Sequence, residues 1–305
     1  MWCYPSRPST HKTRIVARLR TGSPDRDPVE TFHARRSRVT RNILASRNIE
    51  RLRALASSGA LLAFDFDGTL APLGTDPWAT RMRPEAAELL RSLAHAAPVA
   101  VITGRSVADV NARLDGIPML AVIGNHGAEP SRFAKRAVRE VEGWMPRLRD
   151  VVATLPGVVI ENKGQSVSVH YWHSDAPSTA IAALEALVPE LPHAVRVVHG
   201  IGIVNLVPEG APDKGDALAR LVKAHRLPGA VFVGDELTDE PAFRRALGAT
   251  SLGIRVGRWK DTAATFHIPT QNDIEALLAE LLVGRTRPVR SPEAPASTPS
   301  FDGSL

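Results

Sequence analysis

Leu61-Leu62-Ala63-Phe64-Asp65-Phe66-Asp67-Gly68-Thr69 decides how the rest of the chain is read. A short apolar run stops at two carboxylates and a glycine. Apolar runs of this length mark strands buried on both faces of a sheet. Residues two apart on an extended chain point the same way, so Asp65 and Asp67 share a side. Gly68 allows a sharp turn away from the strand. In open α/β sheets, ligands sit beyond the carboxyl ends of the strands. A helix cap would use one acid, not two. A calcium loop of the EF-hand type needs Gly at its sixth position, which here is Leu70. The pair therefore reads as a functional site.

Working outward, strand and helix alternate. Val99–Thr103, Leu120–Gly124, Val231–Gly234 and Leu252–Val256 read as further buried strands. Pro84–His95, Val107–Leu114, Lys214–His225, Asp239–Leu247 and Asp273–Leu282 read as helices. That pattern implies an α/β core, a parallel sheet with helices on both faces. The middle differs. Val158–Glu161, Ser166–Tyr171, Val195–His199 and Ile203–Val207 read as strands with more polar alternation, interrupted by helices near Val138–Thr154 and Thr179–Val188. This is an α+β pattern on an antiparallel sheet. The expected organisation is a basic extension over 1–45, core over 46–128, an inserted domain over 129–209, core again over 210–285, and a Pro/Ser-rich tail over 286–305.

Composition limits the alternatives. The 305 residues are 44% hydrophobic and 23% charged, which suits one large or two modest globular domains. No apolar run approaches the roughly 18 residues of a membrane span. The single cysteine, Cys3, excludes an internal disulfide framework and a cysteine zinc cluster. Cytoplasmic residence fits that usage. Residues 1–53 hold 13 Lys/Arg against 4 Asp/Glu, a net of +9, while the whole chain is +6. The body is therefore net −3, so no nucleic-acid partner is expected of it. The extension lacks apolar periodicity and is expected to be disordered.

Three more polar clusters follow strands or open helices: Thr103-Gly104-Arg105, Pro212-Asp213-Lys214-Gly215, and Gly234-Asp235-Glu236 with Asp239-Glu240. Singly each is weak. A Thr-Gly turn is ordinarily only a turn, and a lysine at a helix start is ordinarily solvated. In this order, at these strand ends, the chain resembles the haloacid-dehalogenase-like (HAD) phosphatases. More narrowly it is similar to the trehalose-phosphatases, through Gly124-Asn125-His126-Gly127, Glu161-Asn162-Lys163, Ser168-Val169-His170-Tyr171, Asp213-Lys214-Gly215 and Gly234 to Glu240.

The resemblance implies a Rossmann-like core with an inserted cap, and a Mg²⁺-dependent phosphatase acting on a small sugar phosphate; no membrane partner is expected, and the sequence leaves the oligomeric state open, with a monomer favoured. Asp65 is the implied nucleophile and Asp67 the acid and later the base. Thr103 and Lys214 are the implied phosphoryl-binding groups. Asp65, Asp67 (through its carbonyl), Asp235 and Asp239 are the implied metal ligands. Phe66, Arg105, Glu161, Lys163, His170 and Asn205 join Asp65 and Asp67 as the substrate-binding candidates. His126 and Glu129 are read as a core–cap hinge. Trehalose-phosphatases carry a basic residue, a Glu and a basic residue in the strand before Asp-Lys-Gly, where this chain has Ile201, Asn205 and Val207. A different phosphorylated sugar or polyol therefore stands as the alternative substrate. A non-catalytic sugar-phosphate binder is disfavoured by the intact acidic set.

Overall fold

Leu61 and Ala63 pack into one hydrophobic core, Leu62 and Phe64 into another, so the deciding strand is covered on both faces. The computed structural model describes residues 40–74, 78–130, 132–200, 202–246, 249–259 and 261–286. The chain opens with β1 (Arg41–Asn42) and α1 (Ser46–Ser57). It continues through β2 (Leu61–Phe64), α2 (Pro84–Ala96), β3 (Val99–Ile102), α3 (Val107–Leu114) and β4 (Ala121–Ile123). The inserted part holds α4 (Ala134–Val152), β5 (Val159–Asn162), β6 (Val167–His170), α5 (Pro177–Leu187), β7 (Val195–Gly200) and β8 (Ile203–Pro208). The core resumes with α6 (Lys214–Ala224), β9 (Ala230–Gly234), α7 (Glu240–Arg245), β10 (Leu252–Val256), β11 (Phe266–Ile268) and α8 (Ile274–Thr286).

Seven parallel strands run in the order β1-β11-β10-β9-β2-β3-β4. Within this sheet, β2 pairs with β3 on one side (Leu62 with Val99) and β9 on the other (Leu61 with Ala230). One face is covered by Leu52 of α1, Leu90 of α2, Val110 of α3 and Leu277 of α8. The other is covered by Leu218 of α6 and Phe243 of α7, whose ring meets Phe232 edge-on at 5.7 Å. The inserted part has its own sheet, β5-β6-β8-β7, all antiparallel. Its core forms where Trp144 and Leu148 of α4 and Leu184 of α5 meet Val167, Val169, Val204 and Leu206. The parallel core thus carries an inserted cap, as expected, and the ends of β2, β3 and β9 come together under the cap sheet.

The structure departs from the sequence expectation at the chain's beginning. The body starts by Thr40, not 46. β1 pairs with β11, Ile43 is fully buried, and the Thr40 hydroxyl meets His267 Nδ1 at 2.9 Å. Runs of two and three residues are too short to show a period, which is why β1 and β11 escape a sequence reading. α1 falls within the expected core, which was placed from residue 46 onward. The helix expected over Asp239–Leu247 is shorter, because Leu237–Asp239 form a separate 3₁₀ turn. The expected extension and tail, 1–39 and 287–305, lie outside the described residues, as does Ile201. Among the described residues no helix is long and apolar enough to cross a membrane.

Candidate active site

Asp65 stands at the carboxyl end of β2, its backbone N–H donating to Val233 O of β9 at 2.8 Å. Its Oδ1 accepts from Phe66 N at 2.7 Å, and its Oδ2 lies 2.8 Å from Lys214 Nζ. Lys214 opens α6, whose N-cap Asp213 accepts from Asp216 N at 2.8 Å, so the helix start fixes where the ammonium is delivered. The same ammonium donates to Asp239 Oδ1 at 2.7 Å. Asp235, just beyond β9, accepts from the Thr69 hydroxyl at 2.9 Å. Gly68 (φ +73°) is required here: a Cβ on it would fall 2.2 Å from Asp235 Oδ2.

Asp65, Asp235 and Asp239 offer ligand oxygens that all lie within 4.8 Å of one another. Burial drives the Asp65 carboxyl up to about 8 against the pull of Lys214. Burial, then Asp65 and Asp239, hold the Asp235 carboxyl well above the ordinary range. Burial alone would lower the Lys214 ammonium, but the adjacent Asp239 and Asp65 carboxylates reverse that and raise it. Three crowded carboxylates around one lysine leave the cluster short of positive charge. Oxygen donors in this number fit a hard divalent cation.

Asp67 and Asp65 line one cleft, both just beyond the end of β2. Arg105 forks onto it with bonds of 2.7 and 2.6 Å. From the cap, Glu161, Lys163, His170 and Asn205 line the same cleft. His170 Nε2 and Glu161 Oε2 are 2.8 Å apart, and Lys163 Nζ reaches across to Gly104 O at 3.3 Å. Burial tends to raise the Glu161 carboxyl, but the bond to His170 and the Lys163 charge hold it below its usual value. Burial lowers the Lys163 ammonium. Asn205 is largely committed within the sheet: Oδ1 accepts from the Ser168 hydroxyl at 2.6 Å and Nδ2 donates to Val198 O at 3.4 Å.

Of the expected site residues, Phe66, Thr103, Asp235 and Asp239 do not line that cleft. The Phe66 ring is fully buried in the core, with the Arg105 guanidinium 5.8 Å from its centroid. The Thr103 hydroxyl is buried and accepts from Arg105 N at 3.2 Å, shaping the turn that presents Arg105. Val207 is buried. Glu129 ties the loop after β4 together, accepting from Asn125 Nδ2 at 2.7 Å and Val107 N at 2.9 Å, while Ser166 of the cap donates to Asn125 Oδ1 at 2.6 Å.

The trehalose-phosphatase family model matches residues 63–269. A trehalose-phosphate phosphatase of Mycobacterium tuberculosis is 32% identical over 311 positions, covering 92% of this chain and 78% of that protein. The chain belongs to the trehalose-phosphatase family. It is a phosphatase, a phosphoric monoester hydrolase acting on a small sugar phosphate. Among solved structures, the C-terminal domain of Candida albicans trehalose-6-phosphate phosphatase aligns with a TM-score of 0.65 at 19% identity, over 81% of this chain and 98% of that one. A trehalose-6-phosphate phosphatase related protein aligns with a TM-score of 0.61 at 25% identity, over 73% and 97%.

Within this family fold, several cleft residues escaped the sequence reading. His126, read as a hinge, is buried and lines the cleft. Burial, then the nearby Lys163 and Lys214 charges, lower its imidazole well below the usual range, so it is neutral. Asn205 stands close enough to bias that titration, yet neither ring nitrogen has a partner at hydrogen-bond geometry. Glu236 also lines the cleft, its carboxyl raised by burial against the pull of Lys214. Buried Arg255 donates to the carbonyls of Asp235 and Glu236 and holds that loop. Trp78, Trp172, Leu73 and Ile203 complete the cleft wall. The only signal for His126 was its Gly-Asn-His-Gly setting. Nothing local marked Arg255 or the tryptophans.

Proposed function

We propose that this chain hydrolyses trehalose 6-phosphate to trehalose and phosphate through an aspartyl-phosphate on Asp65. One observation carries the reading: a buried carboxylate–lysine–carboxylate core, Asp65–Lys214–Asp239, opens into a cleft whose other wall is the polar cap trio Glu161, Lys163 and His170. Asp65 attacks phosphorus and the bond from phosphorus to the sugar oxygen breaks. Asp67 gives its proton to that oxygen. Asp67, now a carboxylate, takes a proton from water, which attacks phosphorus and breaks its bond to Asp65. The Arg105 fork donates two hydrogen bonds to the Asp67 carboxyl and so aims it. Lys214 pulls the Asp65 carboxyl back toward its charged form against burial and offsets charge on the phosphoryl oxygens. Asp65, Asp235 and Asp239 would hold Mg²⁺, which when bound neutralises the charge between carboxylate and phosphate. The Thr103 hydroxyl shapes the 103–105 turn by accepting from Arg105 N, and its proton remains for a phosphoryl oxygen. Glu161, Lys163 and His170 bind the sugar.

A different phosphorylated sugar or polyol is the second reading, favoured by Asn205, whose acceptor oxygen is already taken by Ser168. A phosphate-release screen over sugar phosphates, with and without EDTA, decides between them. Trehalose 6-phosphate as the best substrate, chelator inactivation reversed by Mg²⁺, and loss of several orders of magnitude in Asp65→Asn are expected. A tenfold better sugar phosphate would overturn the substrate. A tenth of normal turnover in Asp65→Asn would overturn the nucleophile.

A further inference from the structure

Large exposed apolar side chains need a reason when they cluster at a functional cleft. Trp78 is 59% exposed and Trp172 is 41% exposed, and both line the cleft that holds Asp65 and Lys214. They come from opposite sides. Trp78 belongs to the core, in the segment between β2 and α2, and Trp172 to the cap, just after β6. Each is held by its surroundings. The Trp78 carbonyl accepts from Arg81 Nη1 and Arg113 Nη1, both at 3.2 Å. Tyr171 N, beside Trp172, donates to Gly202 O at 2.9 Å in the β7–β8 turn. The Trp172 indole lies across Gly202 itself: a Cβ there would fall 2.4 Å from Cδ2 and 2.5 Å from Cε3 of the ring. Leu73 and Ile203 extend the same apolar wall.

We propose that Trp78 and Trp172 form an aromatic subsite for the sugar ring that does not carry the phosphate. The proposal rests on the disaccharide-phosphate reading above and adds to it the residues that recognise the second ring. The phosphoryl group must reach buried Asp65 and Lys214. The ring that carries it then meets Glu161, Lys163 and His170, whose side chains are largely buried. A second ring extends past them to the exposed indoles. Pyranose rings present C–H faces without hydroxyls, and a flat indole is the side chain that matches such a face while leaving the rim hydroxyls to water. A core tryptophan and a cap tryptophan on one ring would also make recognition of the disaccharide depend on how the cap sits on the core.

The test compares kcat/KM for trehalose 6-phosphate and glucose 6-phosphate, which share the phosphorylated ring, in wild type, Trp172→Ala, Trp78→Ala, the double variant, and Trp172→Phe as the conservative control. Wild type is expected to favour the disaccharide. Each alanine variant should shrink that preference roughly three- to tenfold, through a higher KM for the disaccharide, and the double variant should shrink it further. Trp172→Phe should keep most of it. A double variant whose preference stays within twofold of wild type overturns the subsite, including the case where both substrates lose activity in parallel. A wild type with no preference overturns the disaccharide reading itself, and the subsite with it.

Discussion

Arg105 grips Asp67 with two parallel hydrogen bonds, Nε to Oδ2 at 2.7 Å and Nη2 to Oδ1 at 2.6 Å. The same guanidinium reaches Asp109 Oδ2 at 2.7 Å. A lysine can supply the charge but not the fork. Arg105→Lys is therefore expected to leave Asp67 poorly aimed, lowering kcat on the preferred sugar phosphate by about ten- to a hundredfold. Steady-state kinetics check this, and turnover within twofold of wild type would remove Arg105 from the positioning of Asp67.

Asp67→Asn keeps the shape of the side chain but cannot move a proton. Turnover on a sugar phosphate should fall by roughly two to four orders of magnitude. Nitrophenolate leaves with little protonation, so the loss on nitrophenyl phosphate should be clearly smaller. Equal losses on the two esters would argue against Asp67 as the acid.

The crowding at Asp65 has a thermodynamic cost in metal-free protein. Burial holds its folded carboxyl near 8, against an ordinary value of 3.8. Between those pH values the folded state keeps a proton that the unfolded state has lost, so stability falls as pH rises across the window. Asp65→Asn cannot ionise and escapes this fall. In EDTA, Asp65→Asn should melt above wild type at pH 8, with the gap narrowing toward pH 4. A gap independent of pH would contradict the assignment.

Gly68→Ala places a methyl where Asp235 Oδ2 now sits, at a residue with φ of +73°. Both the backbone and the carboxylate must shift, at about 1–3 kcal/mol. Displacing Asp235 should weaken Mg²⁺ binding at least tenfold, measured by the metal concentration that restores activity after chelation. Wild-type metal affinity would mean that Asp235 is not a ligand.

The body's true beginning can be tested by truncation. A chain starting at Ser46 lacks β1 and buried Ile43 and should lose roughly 2–5 kcal/mol relative to one starting at Thr40. Denaturant unfolding measures it, and equal midpoints would show that the strand adds nothing.

Much of this architecture was legible because its strands carry their own signal. Leu61–Phe64 and Val231–Gly234 are continuous apolar runs ending in acids, and a buried parallel sheet requires that. Asp65 and Asp67 do share a cleft, although both lie just beyond Phe64, where β2 ends. What escaped depends on contacts between distant residues. Arg255 reads as one more arginine in a strand, and only the approach of β10 to β9 puts it under the Asp235 loop. Trp172 reads as a loop aromatic until Gly202, 30 positions on, comes to lie under its ring. The Thr103 hydroxyl, in contrast, is engaged locally, accepting from Arg105 N within its own turn.

The pairing of Leu61 with Ala230 sets an order of events during synthesis. When β2 leaves the ribosome its neighbour β9 has not been made. At typical elongation rates the wait is roughly 10–30 seconds. The cap, whose strands and helices lie together in sequence, has every partner it needs within that interval. The strand that carries Asp65 stays open along one edge while the cap assembles, and β9, which closes that edge, ends beside Asp235. Closing β2 against β9 thus gathers the acidic residues before β10 and β11 extend the sheet, and no chain that stops short of β9 holds the full cluster.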